Sequence, residues 1–310
     1  MKNLFIIGNG FDCYEHCLPT KYADFRSYIL SQYPEAESYC GLIPETIIQP
    51  DGSDTMDIYE VAGYILQIID NCGGEGWCDL EYYLGAAIFD CLHDDLDSVL
   101  WNESDKEIRH AFYNNEDRSF NMRQTFKYIK ELFYDWIVDS LSIIDYTNVR
   151  KEKIAEVLST GDAFLNFNYT MTLEEAYGIA KSNVCHIHGK VGDDANRIFF
   201  GHGDKERAPE WSDSLGADYN LSRLKEELQK DTQRAFDMNI DFFNDMNDIE
   251  TIYSFGFGFA DVDMFYIEKI AKRVNLSNVV WYLNTFDSNC PKKKEKLLNL
   301  GFNVSTELRW

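Results

Sequence analysis

Leu4-Phe5-Ile6-Ile7 runs directly into Gly8-Asn9-Gly10, and strand-like runs resume only after Gly161. A buried strand entering a tight glycine turn is the simplest reading of the opening. From about Lys21 to about Lys153 the apolar period is helical. Ile58, Val61, Ala62, Ile65 and Ile69 share one helix face, as do Leu80, Leu84, Ala87, Ile88 and Cys91, and again Phe126, Ile129, Phe133, Trp136 and Ile137. Beyond Gly161, strands are expected at Ala163 to Phe167, Val184 to Ile187, Arg197 to Phe200, Thr251 to Phe255, Val279 to Leu283 and Asn303 to Thr306. Helices are expected over about Ser222 to Asn244 and Asp263 to Val274, with Asp261 or Asp263 as N-cap. Short apolar strands alternating with helices imply a mostly parallel sheet covered on both faces. The first strand must rejoin the others in space. The expected fold is therefore α/β: a doubly wound, mostly parallel sheet with a large helical insertion after the first βα unit. Residues 1–20 plus 154–310 form the discontinuous sheet domain, and 21–153 the helical insertion.

Composition narrows the function. The chain carries 29 Lys+Arg against 53 Asp+Glu, a formal charge of −24. Holding nucleic acid by its phosphates needs clustered cations, so direct nucleic-acid binding is not expected. An anionic membrane surface is disfavoured on the same ground. A small anionic ligand stays compatible, because backbone N–H groups at a helix start bind phosphate without basic side chains. The N-terminal apolar run is too short for a signal-peptide core, and no run approaches membrane-spanning length. A cytoplasmic protein is expected, its eight cysteines buried free thiols without a Cys-x-x-Cys pair. Lys292 to Lys296 reads as a solvated helix face.

Four segments share one form, an apolar strand followed by glycine or a small polar residue and a loop. They are Gly8 to Asp12, Asn166 to Thr170, His186 to Gly189 and Phe255 to Asp261. Ligands of open parallel sheets bind beyond the carboxyl ends of the strands, so these four ends would build one site. Gly8-Asn9-Gly10 is either an ordinary tight turn or a backbone cradle for a diphosphate; the third glycine of a dinucleotide fingerprint is replaced by Cys13. Asp12 either caps the following helix or faces a sugar. His186 and His188, two apart on a strand, would share a face. Together with His202 they resemble a metal cluster only weakly, since no further ligand sits at a recognisable spacing, and no metal is expected. His188, before Gly189, is placed to act as general base. Asn168 either fixes a water or ribose hydroxyl or caps its strand. Trp77 to Glu81 opens an amphipathic helix, with Asp79 as cap and Glu81 either catalytic or simply favoured by the helix dipole.

These segments, in this order, resemble the AbiH family of phage abortive-infection proteins. The likeness takes in Leu18 to Phe25, Trp77 to Glu81, Phe200 to Gly203 and Ser254 to Asp263 as well. More distantly, the α/β part resembles sirtuin-like NAD-consuming domains. That second resemblance implies a Rossmann-like sheet in which Gly8, Asn9 and Gly10 hold the NAD diphosphate, with Gly256 and Gly258 near the adenosine half; Phe11 and Asp261 are expected at the cofactor as well. It implies Asn168 and His188 as catalytic residues; in that chemistry Asp12 or Glu81 would add electrostatic stabilisation. The family's Asn-x-Asp aspartate is Thr170 here, and the four-cysteine zinc module is absent. The function implied is an antiphage effector that binds NAD and hydrolyses it to nicotinamide and ADP-ribose. The alternative is a non-catalytic NAD or ADP-ribose sensor or scaffold in a phage-defence complex. A homo-oligomer or a phage-derived trigger would be a further partner.

Overall fold

The computed structural model describes residues 2–39, 41–52, 54–85, 87–98, 104–204, 214–283 and 291–305. Its main sheet has six strands, numbered here in chain order: β1 (Asn3–Ile7), β2 (Ala163–Asn166), β3 (Val184–His186), β4 (Thr251–Phe255), β5 (Val280–Leu283) and β6 (Asn303–Ser305). They lie in the order β3-β2-β1-β4-β5-β6, and every neighbouring pair is parallel. The opening strand is thus central, with Ile7 registered against Asn166 on one side and Phe255 on the other. The order reverses at β1, where the chain leaves one edge and resumes on the far side of its first strand.

Strand alternation divides the apolar residues between two cores. Leu4, Ile6, Leu165, Ile252 and Trp281 join one core with Phe236, Tyr266, Ile270 and Leu297 from the helices Thr232–Met238, Met264–Ala271 and Pro291–Asn299. Phe5, Ile7 and Phe164 join the other with Leu173 and Tyr177 of the helix Thr172–Tyr177. Every residue from Leu4 to Ile7 is buried, which explains why this strand reads as a continuous apolar run rather than an alternating one.

The chain divides into two compact units. One comprises Met1–Lys21, Ile137–Phe199 and Asp231–Trp310, the other Tyr22–Trp136 and Phe200–Lys230. The second unit is mainly helical, with Tyr22–Gln32, Ile58–Gly73, Leu80–Gly85, Ala87–His93, Asp105–Trp136 and Asp218–Leu228, plus a short antiparallel pair, Ile47–Ile48 with Asp54–Thr55. Its core includes Phe25 edge-on to Trp77 and Phe133 stacked on Phe200. Residues 200–230, placed with the sheet by the sequence reading, cluster with these helices.

Two expected elements differ. The single helix over about 222–244 is three, Asp218–Leu228, Thr232–Met238 and Ile240–Asn244. The first break has tertiary causes. His202 N–H donates to Leu228 O, Lys230 N–H donates to His202 O, and Asp231 caps the next helix through Arg234 N–H. The expected strand from Arg197 to Phe200 does not form. Arg197 O sits 2.3 Å from where a Cβ on Gly189 would stand, so the segment crosses Gly189 and makes only one bond typical of a ladder, Phe199 N–H to His188 O. Thr306 lies outside the described residues. Cys13 and Cys185 are buried, but Cys17 and Cys78 are exposed, contrary to the expectation of buried thiols; all are free. Cys40 and Cys290 are outside the described residues. Among the described residues no helix is long and apolar enough to cross a membrane.

Candidate functional site

Gly8, Asn168, His188 and Gly256 follow β1, β2, β3 and β4, four adjacent strands, at their carboxyl ends. The glycines there serve a backbone crossing. Gly8 N–H donates to Phe255 O and Gly10 N–H to Gly256 O, both at 3.0 Å. A Cβ on Gly8 would stand 2.6 Å from Gly256 O, and one on Gly256 only 2.1 Å from Phe11 N; Gly256 also has φ +63°. Phe11 N–H is engaged as well, donating to Gly8 O. Three of the donors expected to meet a diphosphate are therefore committed within the protein. The next element, Phe11–Glu15, is a single π-helical turn rather than an α-helix.

The other residues expected at a cofactor are placed as follows. Asn9 pins its loop, Nδ2 donating to Thr20 O and Oδ1 accepting from Thr20 Oγ1. Phe11 is a core residue, edge-on to Phe255. Gly258 is exposed with open space around it. Asp261 projects from the surface, its side chain 94% exposed, paired with Lys296 at 2.6 Å. The basic run also fastens the glycine loop, as Lys293 Nζ donates to Phe257 O and Lys296 Nζ to Phe259 O. These lysines are therefore more than the solvated face that the sequence predicts.

Asp12 is fully buried. A carboxylate out of water needs donors on its oxygens. Thr172 Oγ1 donates to Oδ1 at 2.8 Å, and Thr170 Oγ1 donates to Oδ2. Burial pushes the Asp12 carboxyl up to about 6, a rise opposed by the hydrogen bonds from Thr170 and Thr172, by His186 and by Asn168. Position 170, where the sirtuin-like motif would carry an aspartate, thus holds a hydroxyl that grips a carboxylate from the glycine turn.

Asn168 is fixed from several directions. Its N–H donates to Asn166 Oδ1 at 3.1 Å, Nδ2 donates to Gly8 O at 3.2 Å, and its carbonyl lies 3.2 Å from His186 Nδ1. Its Oδ1 is buried without a hydrogen-bond partner. The other nitrogen of His186 lies 2.8 Å from Glu174 Oε1. Glu174 belongs to the first turn of the helix Thr172–Tyr177, a favourable position for a carboxylate, and sequence reasoning missed it. The signal available was a charged pair, Glu174-Glu175, set in an otherwise apolar short helix.

His188 turns elsewhere. β3 ends at His186, so alternation stops and the two histidines do not share surroundings as expected. The His188 ring lies edge-on to Phe167 and beside Tyr266, with Nε2 3.3 Å from Asp263 Oδ1. Nε2 makes no hydrogen bond, so this proximity is not a directional contact. Asp263 stands at the N-cap position of Met264–Ala271 without making a capping bond, which leaves its carboxylate turned to the histidine. The structure thus joins Asp12, Asn168 and His186 through polar contacts, and puts His188 beside Asp263 at the next strand end.

Glu81 and His202 belong to the second unit. Glu81 pairs with Lys230 at 2.6 Å, the lysine side chain being 1% exposed. His202 is buried, with Nε2 donating to Lys225 O and Nδ1 accepting from Asp204 N–H. Burial holds its pKa below the ordinary histidine value, and both contacts fit a neutral ring in a structural role.

Residues 4–285 match the family model described as Bacteriophage abortive infection AbiH. The chain belongs to the AbiH family. The match takes in all four strand-end segments, the helical stretch between the first two of them, and both Trp77–Glu81 and Phe200–Gly203. Membership ties this AbiH chain to phage abortive infection. Comparison with curated proteins and with solved structures finds no match.

Proposed function

We propose that this AbiH chain is an abortive-infection effector that binds NAD at the carboxyl ends of β1 to β4 and hydrolyses it to nicotinamide and ADP-ribose. The observation that carries the reading is Asn168, a buried side chain pinned by its neighbours with only Oδ1 left to meet a ligand. A strand order that reverses at β1, as in Rossmann-like sheets, supports a nucleotide there.

The chemistry asks for acceptors more than donors. Breaking the nicotinamide–ribose bond develops oxocarbenium character, as in glycoside hydrolysis. Nicotinamide is cationic in NAD and leaves neutral, so no general acid is required. Asn168 Oδ1 would accept from a ribose hydroxyl or the attacking water, and His188, backed by Asp263, would take the proton. The buried carboxylate of Asp12 would stabilise developing positive charge. The diphosphate would rely on donors other than Gly8 and Gly10 N–H, which are engaged.

Thr170, standing where the sirtuin-like motif carries an aspartate, favours a second reading, in which the chain binds NAD or ADP-ribose as a sensor without turnover. Nicotinamide release from NAD by the purified protein, with and without lysate of phage-infected cells, separates the two. Hydrolysis predicts release that falls at least about 100-fold in Asn168→Ala and His188→Ala. Calorimetric binding of NAD with no release under either condition supports the sensor, and His188→Ala equal to wild type removes His188 from the mechanism.

A further inference from the structure

We propose that His186 and Glu174 are positioning residues that hold Asn168 for its ligand, an inference that rests on the reading of Asn168 given above. Both side chains are buried, 6% and 4% exposed. The imidazole bridges two acceptors, the Asn168 carbonyl at Nδ1 and the Glu174 carboxylate at Nε2. A neutral ring has one N–H and satisfies only one of them. With Nδ1–H as the donor to the Asn168 carbonyl, the ring anchors that oxygen while Nε2 faces Glu174 Oε1.

The consequence reaches the Asn168 amide. With N–H held by Asn166 and the carbonyl held by His186, the Asn168 backbone is fixed on both sides. Nδ2 bonded to Gly8 O then sets which amide atom stays unpartnered, and that atom is the buried Oδ1 rather than the NH2. The contacts join residues from the ends of β1, β2 and β3, so the clamp also ties three strand ends together. Without Nδ1–H the Asn168 carbonyl loses its donor, the loop after β2 relaxes, and Oδ1 loses its fixed direction. Small misplacements of this kind are costly for a reaction that depends on alignment.

A double-mutant cycle on the full chain tests this, with ADP-ribose binding by calorimetry and nicotinamide release as readouts. His186→Phe keeps the ring volume but has no N–H. It is expected to weaken ADP-ribose binding roughly tenfold and to lower kcat more than it raises KM. In an Asn168→Ala background the same change should add less than about twofold, since the residue it serves is gone. Glu174→Gln should stay within about threefold of wild type, because the glutamine NH2 can donate to Nε2 and leave Nδ1–H on the carbonyl. Equal losses from His186→Phe in both backgrounds, or none in either, overturn the proposal. A thermal melt of each variant identifies unfolding. Should wild type neither bind ADP-ribose nor release nicotinamide, the nucleotide reading fails by itself. The clamp is then judged by the Asn168 side-chain amide in NMR, which must be sharp and exchange-protected in wild type and Glu174→Gln but not in His186→Phe.

Discussion

Asp12 is the residue whose burial has the clearest consequence. Its carboxyl sits at about 6 in the folded chain against an ordinary 3.8. Between these values the native state binds more protons than the unfolded one, so stability falls as pH rises through that window. By pH 7 the loss from this group is about 3 kcal/mol. Asp12→Asn removes it. Urea unfolding is expected to show the variant gaining on wild type between pH 4 and pH 7, while nicotinamide release falls; parallel pH profiles would contradict the burial. Thr170→Val takes a donor from a buried carboxylate oxygen and should cost about 1–3 kcal/mol at pH 7. Neither partnership is legible in the sequence. Thr170 and Thr172 lie 158 and 160 residues from Asp12, and short-range patterns carry no trace of contacts that distant.

At the scale of elements, the turn after β1 and the end of β4 touch through glycines. Gly256→Ala must accommodate a Cβ 2.1 Å from Phe11 N at φ +63°, so it should destabilise the chain by more than about 3 kcal/mol. Gly258→Ala, two residues on, meets open space and should change stability by no more than about 0.5 kcal/mol. Urea midpoints of the two variants test the contrast, and similar values would mean that the crossing is not tight. Sequence reading found both glycines and assigned them together to a cofactor. Only the path of the neighbouring backbone distinguishes them. Likewise, the amphipathic period over 222–244 continued through a break made by His202 and Asp231, without glycine or proline to announce it.

For the whole molecule, a charge of −24 means self-repulsion, which salt screens with a Debye length of about 10 Å at 0.1 M. The melting temperature should rise by a few degrees between 20 and 300 mM NaCl, and an unchanged value would show that the charges are already neutralised locally. Apolar runs showed where all five strands after β1 in the main sheet were to be sought, and they implied that β1 must be rejoined by distant segments. The expected sixth, over 197–200, satisfied the pattern without finding a partner edge. Its apolar residues Phe199 and Phe200 are buried all the same, which is why the run looks like a strand.

What the sequence determined alone was local: a fully apolar first strand, the glycine turn behind it, a long helical stretch, and Asn168 and His188 just past strand ends. Periodicity and turn chemistry act over a few residues, so one chain is enough to read them. Tertiary structure decided the rest. It turned His186 and His188 toward different partners, committed Gly8 and Gly10 N–H to the end of β4, and surrounded Asp12 with two threonine hydroxyls. Each of these depends on which backbone passes nearby, and the parallel register of remote strands sets that.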